Sequence, residues 1–187
     1  MARVAVVDHP RLQDGPSSEW PHGVVAELVN THIRTNRIPA VNIITFDVHG
    51  VTSHTNHVAV HHGVRKAVEA QGLHGPIHLY ELRTVGFLRR YLGVLDMLLV
   101  LCATVTQRFY MTLLSRLSPT TTDLSSDDVV VCMNWSPWSC HEAMCKHQSQ
   151  YNWYRKLYVL VSRYVFVNTL HRHRDRPRTL SNDVSCT

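Results

Sequence analysis

The sequence predicts an α/β domain with a mostly parallel sheet and helices on both of its faces. Two observations carry this. Runs rich in β-branched residues recur at residues 4–7, 41–46, 77–82 and 128–132, and stretches with apolar residues at helical spacing fall between them. A third sets the scale: 187 residues, 44% hydrophobic and 18% charged, suffice for one domain with a sizeable core and are too apolar for a disordered chain.

After the first run, Pro10, Gly15 and Pro16 mark a loop. A helix is expected from about Pro21, because proline suits a first turn and Val25, Leu28, Val29, His32 and Ile33 recur on one side. Ile38-Pro39 ends it. Val41 opens the central strand, and a loop over residues 47–53 leads to a second helix with Ser53 as its expected N-cap and Val58, Val64, Ala67 and Val68 on its buried side. Gly72 and Gly75-Pro76 close that helix. Residues 77–82 form the next expected strand, and residues 87–101 have helical potential. Residues 118–126 are polar enough for a surface loop, and a long helix, begun or interrupted near Pro137, is expected to carry His147 and residues 153–164. The apolar run at 97–105 is too short to cross a bilayer, which takes about 20 residues.

The chemically richest stretch is 41–62. A strand there ends in Asp47-Val48-His49-Gly50, and His54, His57, His61 and His62 follow. Loops leaving the carboxyl ends of parallel strands hold ligands in open α/β sheets. His57 and His61, four apart, share a helical face, and imidazole is a common metal ligand. With fourteen histidines in the chain, spacing alone leaves solvated or core-capping histidines the larger class. No glycine fingerprint for a dinucleotide is present.

Thr45-Phe46-Asp47, Gly50-Val51 and Ser53-His54-Thr55-Asn56-His57 resemble the central motif of the N-acetylglucosaminyl-phosphatidylinositol de-N-acetylases, within the LmbE-like deacetylase superfamily. The resemblance extends through Leu88-Arg89-Arg90-Tyr91, Leu95-Asp96, Ala143 with His147 and Gln150, and Trp153-Tyr154-Arg155-Lys156-Leu157-Tyr158 with Ser162-Arg163-Tyr164. It implies a Rossmann-like sheet, a hydrolase that removes the acetyl group of N-acetylglucosaminyl-phosphatidylinositol in glycosylphosphatidylinositol-anchor biosynthesis, and a place at the cytoplasmic face of the endoplasmic reticulum membrane. It also implies a divalent ion, expected to be zinc, with His57 as ligand. His54 would be an imidazolium that stabilises the oxyanion or protonates the leaving amine. Asp47 would either orient one of these rings or cap the loop.

The Ala-His-Pro-Asp-Asp-Glu motif that brings a histidine, an aspartate and a general base to such sites is absent. Asp8-His9-Pro10-Arg11 lies too close to the central motif to stand for it, so Asp8 and Asp14 are expected in a later acidic loop and the chain is expected to lack the first strand-helix unit. One metal ligand is not a catalytic centre. Weak zinc binding and poor or no deacetylation are therefore expected unless a longer amino terminus or a substitute ligand, with His49 and His61 the nearest, completes the site, and the alternative is a catalytically impaired binding or regulatory form.

Arg89 and Arg90 are candidates for a substrate phosphate, against a solvated polar face. His147 and Gln150 are expected to support the pocket. Arg155, with Lys156 and Arg163, would sit near a lipid headgroup if Trp153, Tyr154, Leu157 and Tyr158 face a membrane rather than a core. A net charge of +5 favours anionic partners. The expected ones are the glycolipid and a membrane surface, not nucleic acid, for which no motif is found. Residues 1–168 form the expected domain and 169–187 a basic, flexible tail. Five cysteines without paired spacing suggest reduced thiols.

Overall fold

The computed structural model describes residues 4–15, 18–36, 41–70, 77–117, 128–146 and 151–173. Helix α1 (His22–Thr35) begins at Pro21, whose fixed φ suits a helix start, and buries Val25, Ala26 and Ile33. Strand β1 (Val41–Phe46) is followed by a short irregular turn, α2 (Gly50–Ser53), and by helix α3 (Thr55–Glu69). α3 packs on β1 and α1. A Cβ at Gly63 would lie 2.5 Å from that of Val25, so the α1–α3 approach requires glycine there.

Strand β2 (Ile77–Leu82) runs parallel to β1, with Ile43 opposite Leu79. Next come α4 (Phe87–Arg90), the long helix α5 (Gly93–Leu117), strand β3 (Val129–Met133) and helices α6 (Pro137–Lys146), α7 (Trp153–Val161) and α8 (Arg163–Phe166). Strand β4 (Val167–Arg172) follows α8 without a break. The sheet order is β1-β2-β4-β3. Met97, Val100, Val159, Val165, Phe166 and Val167 form one core cluster, which joins α5, α7, α8 and β4.

The sheet is mixed rather than mostly parallel, because β4 is antiparallel to both β2 and β3. The boundary expected at residue 168 therefore falls inside a central strand. His171 and Arg172, expected in a flexible tail, are held across the sheet: His171 lies opposite Glu81, and Arg172 Nη2 donates to His78 Nδ1 at 2.6 Å. Complementary neighbours make a polar strand favourable in this position. Residues 4–7 form no strand, and Val4 and Val6 are almost fully exposed. A short apolar run without a partner edge has nothing to pair with.

The expected helix over 87–101 is instead two helices, separated near Gly93, which takes φ +49°. A Cβ at Gly93 would lie 3.1 Å from the carbonyl oxygen of Val161, so α5 starts in close contact with the end of α7. The apolar length of α5 exceeds the sequence expectation. Gly93–Leu113 is 21 residues with mean hydropathy 1.4, long and apolar enough to cross a membrane by length and composition.

The joint between these elements is electrostatic. Asp96, fully buried on α5, receives Nε–H from Arg89 at 2.5 Å and from Arg163. Arg163, 1% exposed, also donates to Thr169 Oγ1 at 2.9 Å. One carboxylate thus ties α4, α5, α8 and β4 together.

Candidate active site

The site is built at the carboxyl end of β1. Asp47 Oδ1 accepts backbone N–H bonds from His49 and Gly50, both at 3.1 Å, and a hydroxyl bond from Thr84 at 2.6 Å. Its Oδ2 accepts the Thr84 N–H at 2.6 Å. Thr84 Oγ1 in turn accepts the N–H of Val51 at 2.9 Å. The carboxylate is thus saturated by the loop and by the segment after β2, and of the two roles open to Asp47 it performs the cap. Thr84 went unremarked in the sequence because a lone threonine after a strand carries no pattern.

This network holds an unusual backbone. Gly50, Val51 and Ser53 take φ of +53°, +67° and +59°. For β-branched Val51 such a conformation costs on the order of 1–3 kcal/mol and persists only where the surroundings over-determine it. A Cβ on Gly50 would stand 2.9 Å from the Cβ of His57. Glycine therefore allows the first turn of α3 to lie against the loop.

That turn is capped by His54, not by Ser53, whose left-handed φ excludes it. His54 Nδ1 accepts the N–H of Asn56 at 3.3 Å. An imidazolium has no acceptor nitrogen, so this cap fixes His54 as a neutral ring with its proton on Nε2. The imidazolium expected at this position would have to release the cap. The Nδ1 of His57 lies 3.0 Å from the Gly50 carbonyl oxygen, which can only accept, so Nδ1 carries a proton and in the neutral ring Nε2 is the acceptor, the tautomer opposite to that of His54. The ring stacks on Phe46, with centroids 4.0 Å apart, and stands 5.0 Å from the ring of His54.

Both rings line an open cavity of about 1320 Å³. Asp14, Asn56, Tyr91, Tyr154 and Arg155 also face it. Asn56 is buried and donates to Asp14 Oδ1 at 2.7 Å, while its own Oδ1 has no protein partner among the described residues. Sequence reasoning placed Asp14 in an acidic loop and gave Asn56 no separate role. Hydrogen bonds from Asn152 and then Arg155 hold the Tyr154 phenol below its ordinary pKa.

The structure brings His54, His57 and Arg155 to one cavity and leaves the other described candidates off its wall. Arg89 is engaged by Asp96, and Arg90 is likewise absent from the cavity wall. His147 and Gln150 lie outside the described residues. His49 is exposed and away from the cavity. His61, 2% exposed, directs Nδ1 at the Phe46 carbonyl oxygen, 3.0 Å away, and at Glu81, 3.5 Å away. Neither is placed to substitute as a ligand. Among the described residues no group of three His, Cys, Asp or Glu side chains is arranged to hold a metal ion. These residues therefore do not fit a zinc centre with its usual three protein ligands.

Burial, outweighing the Phe46 carbonyl and Glu81, lowers the pKa of His61 below the ordinary 6.5. The unfolded chain then binds a proton more readily than the folded one, so stability falls as pH drops through 6.5. His61→Gln is expected to flatten the stability–pH curve between about pH 6.5 and 5 in urea titrations. An unchanged slope would show that His61 titrates normally.

The fold and site define a class: α/β proteins in which a strand-end loop and the following helix present histidines to an open cavity. No protein-family model and no solved structure matches the chain. The particular relatives come from curated sequences. The chain is 30% identical over 171 residues to the N-acetylglucosaminyl-phosphatidylinositol de-N-acetylase of Bos taurus, which covers 91% of this chain and 58% of the relative. It is 27% identical over 184 residues to the probable enzyme of that name from Dictyostelium discoideum, covering 85% of this chain and 64% of the relative. It is also 28% identical over 171 residues to the probable enzyme from Schizosaccharomyces pombe, covering 90% and 60%. These N-acetylglucosaminyl-phosphatidylinositol de-N-acetylases are its homologues, and the chain spans 58–64% of their length.

Proposed function

We propose that the chain is a hydrolase that removes the acetyl group from N-acetylglucosaminyl-phosphatidylinositol, in glycosylphosphatidylinositol-anchor biosynthesis at the cytoplasmic face of the endoplasmic reticulum membrane. The parallel β1–α3–β2 unit is the part compatible with a Rossmann-like core. The names of its homologues support the substrate. The observation that carries the chemistry is the pair of opposed tautomers at His54 and His57 in one cavity.

Amide hydrolysis needs a proton taken from water and charge stabilised on the carbonyl oxygen. His57 Nε2 is an acceptor suited to the first task. His54 Nε2–H is a donor suited to the second, and the proton that His57 Nε2 takes from water can later pass from that ring to the departing amine as the C–N bond breaks. Arg155 and Tyr154 offer polar contacts for the phosphate and sugar at the cavity wall. Zinc binding at His57, expected from the family resemblance, would need ligands beyond the described set, and no step here depends on it.

The test is incubation of the purified chain with N-acetylglucosaminyl-phosphatidylinositol in mixed micelles, with the free amine read by mass spectrometry. Slow release is expected, reduced on the order of 10²-fold or more in His57→Ala. Release that survives the substitution, or none from a folded chain, removes the proposal.

A further inference from the structure

Helix α5 is amphipathic in the wrong sense for a helix facing water. In its first half Asp96, Met97 and Val100 turn into the protein and are buried. At 100° per residue the same side continues through Thr104, Gln107 and Arg108. The opposite side presents Leu95, Leu98, Cys102, Val105, Phe109 and Leu113, all exposed; Phe109 is 71% exposed. This strip is about 27 Å long at 1.5 Å per residue. Asp96 is buried and the exposed Arg108 lies on the same side as Met97, so the strip from Leu95 to Leu113 carries no charge.

The apolar surface does not stop at α5. Phe87 and Leu88 of α4, 74% and 79% exposed, share an open groove with Leu99. Arg89, half-exposed, lies at that groove, and the chain carries a net charge of +5. Arg89 stays paired to Asp96 there, so the attraction to anionic headgroups comes from the chain's net charge, and the apolar area itself matches a bilayer surface. Tyr91, one residue beyond α4, and Val161, in contact with the start of α5, both line the histidine cavity. The apolar surface therefore continues to the rim of that cavity.

We propose that the outer faces of α4 and α5 form a membrane-docking surface, with α5 lying in the plane of the lipid interface rather than crossing it. A crossing helix would have to pull Met97 and Val100 from the core and strip Asp96 of Arg163. Crossing would thus break the buried charge pair that joins α5 to α8. In-plane docking leaves them buried and covers the outward strip. The inference deepens the membrane placement proposed above and rests on it.

Flotation of the full chain with phosphatidylcholine–phosphatidylserine vesicles tests it without any glycolipid, so docking and hydrolysis fail separately. The chain is expected to float with the vesicles. Leu99→Gln/Phe109→Gln, at exposed positions that leave the core intact, is expected to lower the bound fraction on the order of tenfold or more while keeping its circular dichroism spectrum. Equal flotation of the double variant, or a chain that never floats, overturns the proposal. So does a lipid-indifferent chain whose self-association, read by sedimentation, is abolished by the double variant, because the face is then an interface between copies.

Discussion

Asp96→Ala is expected to lower unfolding stability by about 3–5 kcal/mol, enough to leave a marginal domain largely unfolded. The reason is not the strength of a salt bridge in itself. The substitution leaves Arg163, 1% exposed and with an Nη1 that has no partner among the described residues, as a buried guanidinium held by Thr169 and the Tyr164 ring but facing no anion. Arg89 sits at the surface end of the same carboxylate with its side chain 45% exposed, so Arg89→Ala should cost about 1 kcal/mol or less. Guanidinium denaturation of the two variants reads the difference. Similar losses in both would mean that the carboxylate acts as a surface partner rather than as the centre of the joint.

Asp47→Ala should cost about 3 kcal/mol and loosen the site as it does so. Four donors lose their acceptor, and loss of a charged acceptor costs about 1.5–3 kcal/mol before the loop relaxes. Released from Thr84, Val51 is expected to leave its left-handed conformation, and the Gly50 carbonyl that fixes the His57 tautomer moves with it. Hydrogen exchange should report this locally, with the amides of His49, Gly50, Val51 and Thr84 losing protection ahead of the strands. Thr84→Val should reproduce much of the effect, and the double variant should cost less than the sum. Additive losses would show that the two side chains act separately.

The parts of the fold that were legible in the sequence are those whose local signals agree with their packing. The run at 41–46, the turn residues after it and the periodicity of α3 all point the same way, and β1, α3 and β2 appear where expected. β4 was hidden because Thr169, His171 and Arg172 look like a solvated end. Only the long-range neighbours Glu81 and His78 make them strand residues. The length of α5 was underestimated because the uninterrupted apolar run is short, while Phe109, Tyr110 and Met111 resume it beyond Arg108.

At the site, the family resemblance named His54, His57 and Arg155, which line one cavity, but the hydrogen-bond partners of the two rings were not legible. The tautomers depend on whether a ring nitrogen meets a carbonyl or an amide, which sequence does not display. Arg89 shows the converse. Its partner, Asp96, is seven residues away and was visible, yet nothing in the sequence said that burial would claim the guanidinium before any phosphate could.

Gly93 gives the molecule a mechanical property as well as a turn. With only a hydrogen between α5 and the last carbonyls of α7, the start of the long helix and the cavity wall at Val161 bear directly on one another. A push on that helix is transmitted to the cavity's rim with no soft side chain between them to absorb it.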